Sequence, residues 1–558
     1  MRKKILSYGG GTYCGAVSLL RRLPHGRGTL YYPSGARYVG YFRRGKRHGD
    51  FLYTAPNGNE YLGAYSEGEF LGWSRCTRPN GAVYEGDFVG DAMTGYGRLV
   101  LKNGKTYAGE FLDGCFEGTG TYTFTDGSYY RGSLHKDRFS GYGEMHYGNG
   151  AVYEGEWEND KQHGHGRLTF ADGSVYEGDW CLGERTGKGS YTGKDGLTYT
   201  GDFQKGRFHG EGVYVSPSGS RYEGSFCEGL FTGHGVMHYP DGTVYEGNWE
   251  RGNRSGHGRI RYANGTVYEG DWKEGNRTGH GKETYANGNS CEGEILNGTF
   301  MGEGVFTFAD GSVYRGEFRN NRFEGRGVYT EANGDVYEGE FAAGYFSGKG
   351  IQRYATGAVY EGEFREGRRS GHGELRYADG AVYRGEWQNG VRHGSGDLVF
   401  ADGATYVGEF ANNLYSGVGT YRHPNGNFYC GEWKNGKKDG YGELRTAGGG
   451  HYEGSFKEGR YDGEGTFTWA DGAVYTGGFL DSKQHGRGEC RYENGDVYAG
   501  EYLEGRWHGH GILTRADGTV LEGEWQGKEE ASSVTRTAPD GTVTHGRVEK
   551  GNFIAEEA

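Results

Sequence analysis

Residues 40–47, GYFRRGKR, and 431–438, GEWKNGKK, come close to the spacing of a phosphate-binding loop, G-x-x-x-x-G-K-[ST]. Such a loop needs a strand before it, a helix after it and a hydroxyl in its last place. Arg47 and Lys438 stand where the hydroxyl belongs, so both stretches are read as hairpin turns that carry a lysine. Two histidine pairs, His163/His165 and His508/His510, are spaced to share one face of a flat strand, about 7 Å apart. A third ligand from a neighbour would complete a zinc site there. These four are the metal candidates, against the plainer reading of histidines on a wet strand face, and no metal is expected. Glu and Asp recur two residues apart, as at Glu269 and Asp271, the arrangement of paired acid–base catalysts. A catalytic pair is usually unique, but these return along almost the whole chain, facing residues such as His257, Arg259 and Arg261. They read as cross-strand ion pairs worth roughly a few tenths of a kcal/mol each. No Ser–His–acid grouping can be placed by spacing. The expectation is a protein with neither enzyme activity nor a cofactor.

The recurrence itself is the main signal. YEGNWERGNRSGHGRIRYANGTV (245–267) is followed at once by YEGDWKEGNRTGHGKETYANGNS (268–290). With Tyr38 as column 1, a start falls at every twenty-third residue through Leu521, which makes 22 repeats without an insertion. Columns 3 and 21 are always Gly. Column 12 is Gly except at Ser532, and column 14 is Gly except at Phe51, Ser74 and Val534. Column 5 is aromatic except at Leu134 and Ile295. This divides the chain into a leader (1–12), a divergent N-terminal repeat (13–37), twenty-one regular repeats (38–520), and a divergent C-terminal capping repeat with tail (521–558).

Each repeat predicts a β-hairpin. VYEGDW (267–272) and GHGRIRYA (256–263) both alternate with period two. Seven of the eight prolines fall at column 19, each followed by Ser, Asn or Asp and then Gly, which is turn chemistry. Two to four glycines in every second or third turn exclude helix as the main state. One hairpin cannot offset its own ordering entropy, so stability belongs to the array. The predicted fold is all-β: an elongated single-layer antiparallel sheet of stacked 23-residue hairpins, on the order of 10 Å per repeat.

The net charge of −13 gives no long-range attraction for nucleic acid or anionic lipid. No apolar run is long enough to span a bilayer. The eight cysteines contain no CxxC pair, and none lies in adjacent repeats, which fits a reducing compartment.

The pattern YEGxWxxGxxxGxGxxxxxxG, over about residues 13–551, resembles the MORN (membrane occupation and recognition nexus) repeat. The resemblance is nearest to MORN-only proteins of protist cytoskeletons and of cilia. It implies a non-enzymatic structural scaffold, cytoplasmic and associated with the cytoskeleton (cilium, flagellum or cell cortex), whose partners are cytoskeletal or axonemal proteins. It also implies self-association through the C-terminal repeats. The edge-prone strands there make Leu521, Trp525, Val534 and Val543 the candidate residues of a homodimer. A partner groove is expected on the aromatic face, at Tyr245, Trp249, Tyr262, Tyr268, Trp272 and Tyr285, because a single layer leaves such rings partly uncovered. The alternative is a peripheral membrane platform that binds phosphoinositide head groups through basic turns at 43–49 and 366–373.

Overall fold

The computed structural model describes residues 3–556. Among them are 49 β-strands and no helix. The chain divides into two compact units, Met1–Arg277 and Thr278–Ala558. Within each unit, successive strands pair antiparallel.

One repeat shows how the columns build the hairpin. A seven-residue strand, Val244–Glu250, turns into a nine-residue strand, Asn253–Arg261. Tyr245 pairs Ile260, Gly247 pairs Gly258, and Trp249 pairs Arg254. Between the last two pairs one residue of the first strand, Asn248, faces three of the second, Ser255, Gly256 and His257, and the excess is a bulge around Gly256. Gly256 has φ +58°, a left-handed conformation that favours glycine. That conformation accounts for the constancy of column 12.

The tight turn places two left-handed residues in succession, Arg251 (φ +49°) and Gly252 (φ +82°). This turn's twist matches that of the flanking strands. The Gly252 N–H donates to the Phe231 carbonyl at 2.9 Å, so the turn is tied to the preceding repeat. At Asn321, where column 8 is not Gly, the side chain adds a bond: its Oδ1 accepts from the Phe300 N–H at 2.7 Å. The wider turn closes through Tyr262 N–H to Thr266 O at 2.8 Å, while Asn264 Oδ1 accepts from the Thr266 N–H at 2.9 Å.

The core lies on the aromatic face. The Tyr245 hydroxyl lies over Gly247 and Gly258, where a Cβ would collide with it. It donates to the Asn248 carbonyl at 3.0 Å. Trp249 and Trp272 stand edge-on to either side of this ring, with centroids at 5.1 and 5.3 Å. Each indole N–H also finds a carbonyl, Gly235 O at 3.3 Å and Gly258 O at 3.1 Å. Glycine at columns 3 and 14 is therefore a seat for the tyrosine of column 1.

The ends are part of the sheet. Residues expected as a leader supply the strand Lys3–Tyr8, which pairs Gly11–Val17 and packs Leu6 and Tyr8 against a cluster containing Tyr13 and Leu30. At the other end, the capping repeat continues into the strands Val543–Glu549 and Asn552–Ala555.

Candidate functional site

The expected aromatic groove is corrected by burial. Tyr245 and Tyr268 are 0% exposed, and Trp249 and Trp272 are 6% and 4% exposed. Only Tyr262 and Tyr285, the latter in the second unit, are half-buried. Sequence reading missed what covers these rings, which is column 10. Phe208, Phe231, Phe323 and Phe346 each stack flat on the column 1 tyrosine of their own repeat, at 3.8–4.0 Å. In other repeats an arginine takes that place: Arg254 lies 4.2 Å from the Trp272 ring centroid and donates to Gly275 O at 3.1 Å. A scan of column 10 for side chains of shared reach would have found this lid. Burial pushes the Tyr84 and Tyr245 phenols up to about 12. These residues form the core and offer no open surface.

The polar face is where open space lies. In the second unit it forms a furrow of about 1100 Å³, floored by glycines such as Gly327 and Gly350 and walled by Glu338, Glu361, Arg315, Arg326 and Lys349. A furrow of about 730 Å³ in the first unit uses the same columns, with Glu177, Lys188, Glu211 and Glu223 in its walls.

The recurring acids divide into two roles. Those of column 4 cap the bulge. Asp179, Glu317 and Glu432 accept the backbone N–H of Lys188, Arg326 and Tyr441 at 3.0, 3.1 and 3.1 Å. Glu110 does the same for Thr119 and also accepts its hydroxyl at 2.7 Å. Those two bonds hold its carboxyl below the ordinary glutamate range. Column 2 acids instead make exposed ion pairs, such as Glu338 with Arg353 at 3.4 Å. At column 4 a backbone partner is added to the expected cross-strand ion pair: Asp202 pairs Lys188 at 2.7 Å and also accepts from the Glu211 N–H at 3.1 Å.

The remaining candidates are placed as follows. Gly164 and Gly509, both left-handed, separate the histidines of each pair, so neither pair lies on a flat strand. His163 and His165 approach Glu158 and Asp179, at 3.4 and 3.5 Å. His510 lies 3.2 Å from Glu522, and His508 is exposed beside its register partner Glu501. Among the described residues, no group of three or more His, Cys, Asp or Glu is placed to hold a metal ion. The basic turns lose cations to the aromatic face, since Arg47 lies over Tyr38 and Arg369 over Trp387. Leu521, Trp525 and Val534 are each 1% exposed inside the C-terminal core, and only Val543 is open, at 55%.

The MORN repeat family model matches 21 segments between residues 23 and 520, leaving 60–83 unmatched. No curated protein matches the chain. Among solved structures, the TCP10 domain of Danio rerio CPAP in complex with a STIL peptide is 14% identical. It covers 45% of this chain and 91% of its own, with a TM-score of 0.16. The TCP domain of Drosophila melanogaster SAS-4, in complex with a proline-rich motif of Ana2, is 12% identical over 36% and 83%, with a TM-score of 0.11. Virginiamycin B lyase from Staphylococcus aureus is 10% identical over 59% and 92%, with a TM-score of 0.10. These likenesses are too slight to bear on function.

Proposed function

The chain belongs to the MORN-repeat family, and we propose that it is a non-enzymatic scaffold that joins protein partners along its polar face. A run of MORN repeats with no other domain matched points to a binding or scaffold role. The single observation that carries the reading is the furrow of about 1100 Å³, whose column 2 and column 13 charges recur from repeat to repeat. Its mixed charges suit an extended polypeptide of complementary charge. The proposed setting is the cytoplasmic cytoskeleton, at a cilium, flagellum or cell cortex.

The test is proximity labelling in cells with the tagged full chain and a variant carrying Glu338→Lys, Lys349→Glu and Glu361→Lys. The variant should lose part of the labelled set while keeping its circular dichroism. An unchanged set would overturn the furrow as the partner surface. Homodimerisation at the C-terminal end belongs to the same proposal. With three of its four expected residues buried, it would use Val543 and the edge strand Asn552–Ala555. Binding of phosphoinositide head groups is the secondary reading, and salt-sensitive co-sedimentation with liposomes would support it.

A further inference from the structure

The repeats starting at Tyr38 and Tyr61 break the pattern of the aromatic face, and the break leaves a cavity of about 470 Å³. The cause is at column 14. Phe51 stands where glycine normally lies, and its ring extends over Gly63, the seat that Tyr61 would otherwise take. The next column 14 residue, Ser74, is 1% exposed and also crowds Gly63, with Oγ 2.5 Å from where a Cβ would stand. Tyr61 does not take that seat: its hydroxyl accepts from Asn59 Nδ2 at 3.4 Å, and it is half-buried where column 1 tyrosines elsewhere are fully buried. The space so opened is lined by Tyr32, Tyr38, Tyr53, Tyr61, Tyr65 and Arg47.

Two polar groups that line this cavity depart from the regular repeat. The Tyr38 side chain is 1% exposed, and its buried hydroxyl has no hydrogen-bond partner. In regular repeats that hydroxyl reaches a carbonyl three residues on. Arg47 differs as well. Arg185 and Arg254, at the same column, donate to the carbonyls of Gly206 and Gly275. The Arg47 guanidinium instead lies 4.9 and 5.4 Å from the ring centroids of Tyr38 and Tyr65. It donates to the Tyr65 hydroxyl at 3.3 Å and to the Tyr32 hydroxyl. No carboxylate lies within ion-pair distance of it among the described residues. A half-buried cation with spare donors favours an anion, and a ring-lined cavity of this size suits a small planar ligand. Asp91, exposed at the mouth, is the one acid in the lining.

We propose that this cavity binds a small planar aromatic anion, with its ring among the tyrosines and its carboxylate on Arg47. The test is calorimetric titration of the full-length protein with 2-naphthoate and with its neutral analogue 2-naphthalenemethanol. Naphthoate should bind saturably at one site, and the alcohol at least tenfold more weakly. Arg47→Gln should reduce naphthoate binding at least tenfold. The double variant Phe51→Gly, Ser74→Gly should clear the seat for Tyr61 and abolish the site, without lowering the melting temperature. No saturable binding, equal affinity for acid and alcohol, full retention in Arg47→Gln, or equal uptake by the Phe51→Gly, Ser74→Gly variant would each overturn the proposal. Should Arg47→Gln fail to fold, the comparison of acid with alcohol on the unaltered protein decides alone.

Discussion

The repeats at 38–83 and the repeat at 245–267 share their column 1 tyrosines and part company at column 14. At Gly258 the Tyr245 ring lies flat over bare backbone and its hydroxyl reaches a carbonyl. At Phe51 and Ser74 the seat is filled, and one tyrosine is displaced while another loses its acceptor. The C-terminal repeat offers a third case. Val534 also fills column 14, yet column 1 there is Leu521, and both are 1% exposed. A side chain at column 14 is thus accommodated when the ring above it is removed too. The N-terminal repeats keep the ring, and the misfit becomes a cavity. Glycine here conserves space for a ring more than it supplies backbone freedom.

The largest expected effect is collective. A phenol that ionises near pH 10 in an unfolded chain and near 12 at Tyr84 or Tyr245 keeps its proton in the folded state. Stability is therefore whole below about pH 10 and is lost as pH rises toward the folded value. Circular dichroism and tyrosinate absorbance should change together in that window. Tyrosines that ionise while the sheet signal persists would break the account of the seat.

Next comes Trp272→Ala, which removes two ring contacts, the bond to Gly258 O and the packing of Arg254. It should cost about 3–5 kcal/mol, read by denaturant unfolding with hydrogen exchange to localise the loss. Tyr61→Ala should cost less than half as much, and equal costs would erase the distinction between the two regions. Gly258→Val should then cost up to about 3 kcal/mol by overpacking, while the Phe51→Gly, Ser74→Gly variant should be neutral or stabilising in the same assay.

Smaller still is Gly325→Ala. It puts a Cβ at φ +58° and against the Glu317 carboxylate, at about 1–2 kcal/mol. The smallest effect concerns the bulge cap. Because Glu110 is held below its ordinary range, its contribution is present above the unfolded glutamate value, about 4.3, and is lost as pH falls through the folded one. Thr119→Val should weaken that acid dependence slightly. An identical acid limb in both proteins would remove the hydroxyl from the account.

Much of this was legible in the chain. Period-two alternation around YEGDW and GHGRI identified the hairpins, because one buried strand face requires it. The turn glycines and column 19 prolines marked the connections, since few residues accept those backbone angles. The column 12 glycine and column 4 acid could each be seen, but their partnership could not. It depends on a left-handed kink that brings a backbone N–H to a carboxylate nine residues away. Column 10 stayed hidden because Phe, Tyr, Trp, Arg, Lys, Gln and Met share reach and little else.

By itself, then, the sequence determined the repeat, its length, its two strands, its turns and the face on which rings and charges lie. These follow from local backbone sterics and a fixed side-chain period. The tertiary structure alone decided that the rings are closed over by column 10, that the column 4 acids serve the backbone, and that Phe51 opens a cavity where Val534 does not. Each of these depends on which side chain fills a given volume once neighbouring strands are paired. Alternation tells a residue which way to face, and only packing tells it what it meets there.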